Sequence, residues 1–125
     1  DQESIEVAKG YYDLANVICQ QKEDLVKAEM LVRESLRIRS QLHCHDHQMV
    51  GSCVILLAGI LRSQGKLDYE TKELFERSLT IYIKQCGPDG KNTAVANLNM
   101  GNYYRDLARI QQDAGKKCPT FVYIY

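Results

Sequence analysis

The sequence has no net charge, no long apolar run and no paired cysteine motif, and each absence excludes a class of protein. Sixteen basic and sixteen acidic side chains cancel at neutral pH, with both signs mixed along the chain. Nucleic acid and anionic membranes both select a concentrated basic surface, so neither is an expected partner. The longest apolar stretch, Val54 to Leu61, is far shorter than the ~18 residues that a membrane-spanning helix needs. The N-terminus shows no basic-then-apolar segment of the secretory type, and the expected location is cytoplasmic. The five cysteines, Cys19, Cys44, Cys53, Cys86 and Cys118, are odd in number and widely spaced, with no CxxC pair. That pattern predicts reduced thiols rather than a disulfide framework, with Cys19 and Cys53 as small core residues.

Catalytic motifs are missing too. There is no glycine-rich phosphate loop, no HExxH, no GxSxG and no evident nucleophile–base arrangement. The acids Glu23-Asp24 and Asp68/Glu70 fall at expected helix starts, where the helix dipole favours negative charge. An enzyme is therefore not expected, nor is a cofactor. His43-Cys44-His45-Asp46-His47 is the one cluster with metal-ligand chemistry. Alternate residues of a single loop rarely surround an ion without distant partners, so zinc is the weaker reading and no metal site is expected.

What the chain does have is an internal repeat. Leu14-Ala15-Asn16-Val17-Ile18 aligns with Leu57-Ala58-Gly59-Ile60-Leu61 at an offset of 43 residues. The same offset pairs Ala28 with Thr71, Leu31 with Leu74, and Glu34-Ser35-Leu36-Arg37-Ile38 with Arg77-Ser78-Leu79-Thr80-Ile81. A further step carries Leu57-Ala58 to Met100-Gly101, Leu61 to Tyr104 and Val50 to Thr93. A fixed period of this length marks a stacked-repeat architecture.

Within each period the apolar residues follow helical spacing. Tyr11, Leu14, Ala15 and Ile18 fall at i, i+3, i+4 and i+7, as do Val54, Leu57, Ala58 and Leu61. Breaks fall at Gln64-Gly65-Lys66 and at Cys86-Gly87-Pro88-Asp89-Gly90. The expectation is an all-α fold of five helices, over 4–22, 25–43, 47–64, 67–86 and 91–113, with short turns that favour antiparallel neighbours. Small residues mark where helices must approach closely: Ala15, Ala58 and Gly101 on the first helix of each pair, Ala28/Thr71 and Ser35/Ser78 on the second. The helical tyrosines Tyr11, Tyr12, Tyr82, Tyr103 and Tyr104 are expected to supply core bulk with a wet hydroxyl.

These residues resemble tetratricopeptide repeats of the long variety found in kinesin light chains. Leu57-Ala58-Gly59-Ile60-Leu61-Arg62-Ser63-Gln64-Gly65-Lys66 is similar to that family's first helix and its turn. Phe75-Glu76-Arg77-Ser78-Leu79-Thr80-Ile81-Tyr82 is similar to the second, with Ser78 where alanine is usual. Gly87-Pro88-Asp89 resembles the inter-repeat loop. HEAT and armadillo repeats have comparable periods of about 40–47 residues; the small-residue positions and the Gln-Gly-Lys turn favour the tetratricopeptide resemblance. It implies a short right-handed α-solenoid over residues 1–117, with repeats at 3–45 and 46–88 and a partial one at 89–113. Residues 118–125 fit neither the period nor a helix. Pro119 stops helix continuation, and the apolar residues beyond it are expected to cap the array, occupy its groove or pair with another chain. An incomplete third repeat suggests a segment of a longer array, or a capping role for the residues after Ala114.

In that family the first helices line a concave groove that receives peptides. The resemblance therefore implies a site at Tyr12, Asn16, Ile55, Arg62, Leu98, Asn99, Asn102 and Arg105, with the two arginines available to a carboxylate. Where the family carries asparagines just before the Leu-Ala pair, this chain has Tyr12-Asp13, Ile55-Leu56 and Leu98-Asn99. Only Asn99 is retained, and the second repeat offers an apolar floor instead. The implied role is a scaffold or adaptor that binds a peptide or partner protein. The alternative is a self-assembling segment with no peptide ligand, associating through its open repeat ends or the 118–125 tail.

Overall fold

The computed structural model describes residues 2–117, which form five helices. They are α1 (Gln2–Gln21), α2 (Leu25–Leu42), α3 (Gln48–Ser63), α4 (Tyr69–Cys86) and α5 (Lys91–Lys117). All five expected helices are present with ends within two residues, except that α5 runs past residue 113 to Lys117. The 118–125 tail lies outside the described residues.

Local chemistry explains where the helices begin and end. Asp24 caps α2 by accepting the Lys27 amide at 3.0 Å, and Asp68 caps α4 by accepting the Thr71 amide at 3.1 Å. Each bond satisfies an amide that has no partner inside its own helix. Of the four acids expected at helix starts, Asp24 and Asp68 are the caps, and Glu70 lies in the first turn of α4. His47 caps α3 through Nδ1, which accepts the Met49 amide at 3.0 Å. After α3 the chain reverses at Gly65, with φ of +80°. At the equivalent place after α1 stands Lys22 with φ of +56°, a conformation that costs a side-chain-bearing residue strain.

The pairs are antiparallel. Ala8, early in α1, accepts the Ser35 hydroxyl from late in α2 at 2.7 Å, while Ala15 and Ala28 share one cluster. Gly51, early in α3, meets Ile81 and Tyr82 late in α4, while Ala58 packs with Phe75. The small residues at these crossings are buried, as the pattern requires: Ala8, Ala15, Ala28, Ser35, Ala58, Thr71 and Ser78. Their hydroxyls are satisfied locally, Ser78 donating to the Phe75 carbonyl and Thr71 to that of Lys66.

Gly101 is a correction. It was expected to be a close contact like Ala15 and Ala58, but it is exposed, with no described atom within 4 Å of where a Cβ would lie. The reason is positional: no described helix covers that side of α5. Tyr104, next on the same side, is also exposed, and Tyr11 and Tyr12 are half-buried. Only Tyr82 and Tyr103 among the five are core residues. Of the two cysteines expected inside, Cys53 is fully buried and Cys19 half-buried; the four described cysteines are free thiols.

Three apolar clusters run through the stack. The first joins Ala15, Ala28, Val32, Cys53, Leu57, Ile60 and Leu61 across α1, α2 and α3. A second holds Val50, Val54 and Ile81 with Leu36 against them. The third holds Ala58, Phe75 and Tyr103. Leu74 packs against all three, which makes the core continuous between repeats. Burial of each large aliphatic such as Leu57 or Ile60 contributes about 1.5–3 kcal/mol, so helices too short to persist alone are stable as a stack.

Candidate functional site

The order of packing decides which face is available. Each helix packs on the next in sequence, and α3 also touches α1 and α5, whereas α2 and α4 stay apart at the backbone. The first helices of successive repeats therefore form one row with α3 at its centre. On the other side, α2 and α4 meet through side chains, apolar ones toward the core, where Leu36 and Leu74 pack against the same cluster, and long polar ones outside it. Arg33 of α2 reaches Glu70 of α4 at 3.2 Å and is braced by Glu29 at 2.9 Å. The Gln64-Gly65-Lys66 turn docks on the start of α2, with Gln64 donating to the Leu25 carbonyl at 3.1 Å and Lys66 facing Glu29 at 3.5 Å. That docking gives the turn residues a role in joining repeats.

The expected site residues divide into three groups on this row. Ile55 and Asn16 are half-buried, and so is Asn102 on α5. Leu98 and Arg105 stand out from α5 into solvent, Leu98 at 66% exposure. The other three are engaged within the chain. Arg62 donates from Nε to Asp106 Oδ2 at 2.6 Å, tying α3 to α5. Asn99 donates to the Val95 carbonyl of its own helix at 3.1 Å. Tyr12 lies over the Arg39 guanidinium, 4.9 Å from its ring centre, with one side against the first core cluster. Burial pushes the Tyr12 hydroxyl above its ordinary value, Tyr82 and Cys53 add to the effect, and Arg39 opposes it. Arg105 is thus the more open of the two arginines.

Two residues outside the expected set shape this face. Asp106 directs the Arg62 side chain, and the Arg62 hydrogen bond holds its carboxyl below the usual carboxylate range. Arg39 is buried without a carboxylate; it donates to the Met49 carbonyl at 3.2 Å and to Cys53 Sγ at 3.3 Å. Its place in the last turn of α2 adds the favourable end of the helix dipole. Asp106 was legible in principle, since it directly follows Arg105, the repeat equivalent of Arg62. Arg39 was not, because the repeat has Tyr82 at that position and nothing in the spacing marks a buried cation.

The histidine loop is occupied with structural work. His47 uses Nδ1 for the α3 cap and stacks on His43 with ring centroids 4.2 Å apart. Arg77 contacts the His45 ring at 3.2 Å, Lys84 pairs with Asp46, and Gln85 donates to the Asp46 carbonyl at 3.0 Å. The Lys84 hydrogen bond lowers the Asp46 pKa. Among the described residues, no three His, Cys, Asp or Glu side chains converge as a metal site. A cleft of about 500 Å³ lies along α4, lined by Tyr69, Glu70, Glu73, Leu74, Glu76 and Arg77; it shares no residue with the expected site.

Neither a family model nor a curated protein matches the chain. Fold and surface thus define an all-α protein of stacked helix pairs, and no described helix is long and apolar enough to cross a membrane.

Proposed function

We propose that this chain is a protein-interaction segment of a tetratricopeptide-type array, binding a peptide or partner protein along the row of α1, α3 and α5. The observation that carries this reading is the position of α3 between α1 and α5, with half-buried Ile55 on α3 at the repeat position that exposed Leu98 holds on α5, and with Arg105 open on that same helix. Apolar contacts of this kind supply affinity, and amide and guanidinium groups supply direction. The ligand that suits the face is an extended or helical segment carrying an apolar side chain for Ile55 and Leu98 and a carboxylate for Arg105. Asn16 and Asn102 are placed to meet its polar groups. The role is binding rather than catalysis.

The test is a displayed random-peptide library panned against the folded chain. Enriched peptides that bind the wild type, and lose at least tenfold in affinity to Leu98→Asp with Arg105→Glu, support the reading. Both side chains are exposed, so the variant should keep its melting temperature. Failure to enrich any peptide, or equal binding to the variant, removes the proposal. The self-assembly alternative is favoured if the wild type sediments as an oligomer and enriches no peptide.

A further inference from the structure

The chain has three histidines, and all three fall in the loop 43–47 that joins α2 to α3. At the backbone the first repeat meets the rest of the described chain only at α3, so this loop is the joint between the repeats. Each ring is placed to work uncharged. His47 accepts the Met49 amide on Nδ1 at 3.0 Å; a proton there would remove the acceptor, and the cap of α3 with it. His45 Nδ1 lies 3.2 Å from Nη2 of Arg77, a group that can only donate, so this nitrogen is an acceptor too. His43 stacks on His47 with ring centroids 4.2 Å apart and planes 14° from parallel. Protonating both would set two positive charges face to face.

The surroundings do little to offset added positive charge. Arg39 of α2 acts on His43, Arg77 and Lys84 reach the loop from α4, and the first amides of α3 add the positive end of its dipole. Asp46 is the carboxylate of the loop, and it is already held by Lys84 and by the Cys44 thiol. Burial pushes the His43 ring below its ordinary value, and His47, Arg39 and the α-amino charge push the same way.

We propose that the 43–47 loop is an acid-sensitive joint, which caps α3 and holds the two repeats in register at neutral pH and loosens as its imidazoles take up protons. A histidine with a depressed folded pKa stabilises above its unfolded value near 6.5, and that contribution is lost as pH falls through the folded one. Histidine is the side chain that ordinarily titrates between about pH 5 and 8. The carboxyls of Glu29, Glu34, Asp46, Asp68 and Asp106 are displaced downward, away from that window. A loss of stability near pH 6 is therefore traceable to one loop. The joint acts on the fold itself, whether or not the row of α1, α3 and α5 binds a ligand.

The test compares thermal unfolding of the folded chain at pH 7.5 and pH 5.5, with amide exchange at Met49 and Val50 read alongside. The chain is acetylated at its N-terminus, because the α-amino group also titrates near pH 7.5. The wild type should lose roughly 3–8 °C in unfolding midpoint over that interval. The two amides should lose protection by about fivefold or more beyond the intrinsic effect of pH on exchange. His47→Asn supplies an amide oxygen that caps without gaining a proton; combined with His43→Gln and His45→Gln, it should leave the midpoint level between the two pH values. An unchanged wild-type midpoint, undiminished protection at Met49, or an equal fall in the triple variant overturns the inference. Should the triple variant not fold, the His43 ring protons followed by NMR in the wild type decide the question. Titration below about 6.5 supports the joint, and titration at or above that value overturns it.

Discussion

Arg62 and Asp106 join the second repeat to the third: Nε of the arginine lies 2.6 Å from Oδ2 of the aspartate, with both side chains about a quarter exposed. The contact crosses from α3 to α5 on the row proposed to bind ligand. It therefore holds the face together and also competes with a ligand carboxylate for the Arg62 guanidinium.

Removing that pair should be mild for the fold and informative for the site. A double-mutant cycle with Arg62→Ala and Asp106→Ala should give a coupling of about 0.5–1 kcal/mol, the size expected of a partly exposed pair. Because Asp106 titrates below the usual range when folded, the coupling should be present above about pH 4 and disappear as pH falls through the folded value. Urea melts at pH 7 and pH 3 check it; a coupling unchanged at pH 3 contradicts the assignment.

The two glycines of α3, Gly51 and Gly59, should respond in opposite directions. A Cβ on Gly51 would stand 2.9 Å from Cγ2 of Ile81, a branch that a helical isoleucine cannot swing aside. Gly51→Ala should cost about 1 kcal/mol or more despite the better helix propensity of alanine. Pairing it with Ile81→Leu, which lacks the branch, should recover part of the loss. Gly59 faces open space, so Gly59→Ala should raise stability by up to about 1 kcal/mol. Thermal melts that move the same way for both would show that helix proximity is not the deciding factor.

The Asp68 cap should make stability pH-dependent. The Thr71 amide is the largest cause holding the Asp68 carboxyl below its ordinary value. A carboxylate with a depressed folded pKa stabilises above its unfolded value near 4, and that contribution is lost as pH falls through the folded one. Asp68→Ala should cost about 1 kcal/mol at pH 7 and progressively less below pH 4. Asp68→Asn should keep much of the cap without the pH dependence. A constant difference between Asp68→Ala and wild type from pH 7 to pH 3 would refute the account.

Arg39 tests whether a buried cation is needed for its charge or for its bulk. Arg39→Ala should destabilise by about 2 kcal/mol, since it opens space beside Tyr12 and Cys53 and removes the bond to the Met49 carbonyl. Arg39→Met, with similar length and no charge to desolvate, should recover most of the loss. If the methionine variant is as unstable as the alanine variant, the guanidinium contacts dominate.

Periodicity carried the fold because it reports local physics. Apolar spacing, cap residues and glycine turns each act within a few residues, so five helices and their small-residue crossings, Gly101 excepted, were readable in the chain. Even so, Asp24 and Asp68 sit one residue out of register with the period, and α4 starts correspondingly late. The candidate face was legible only as a line of positions. Its state was not: Arg62 is bound by Asp106, Asn99 by its own helix, and Tyr12 is drawn against Arg39. Those partners lie on other helices or on an adjacent turn, and their distances depend on how helices cross.

By itself, then, the sequence determined the helices, the repeat and the residues that must be small, because these follow from 3.6-residue spacing and steric demand. Tertiary structure decided which equivalent positions are covered. Leu57 and Leu14 share a residue type and a repeat position, yet one is fully buried and the other nearly half exposed. The difference is a neighbouring helix, and burial belongs to the neighbour as much as to the residue.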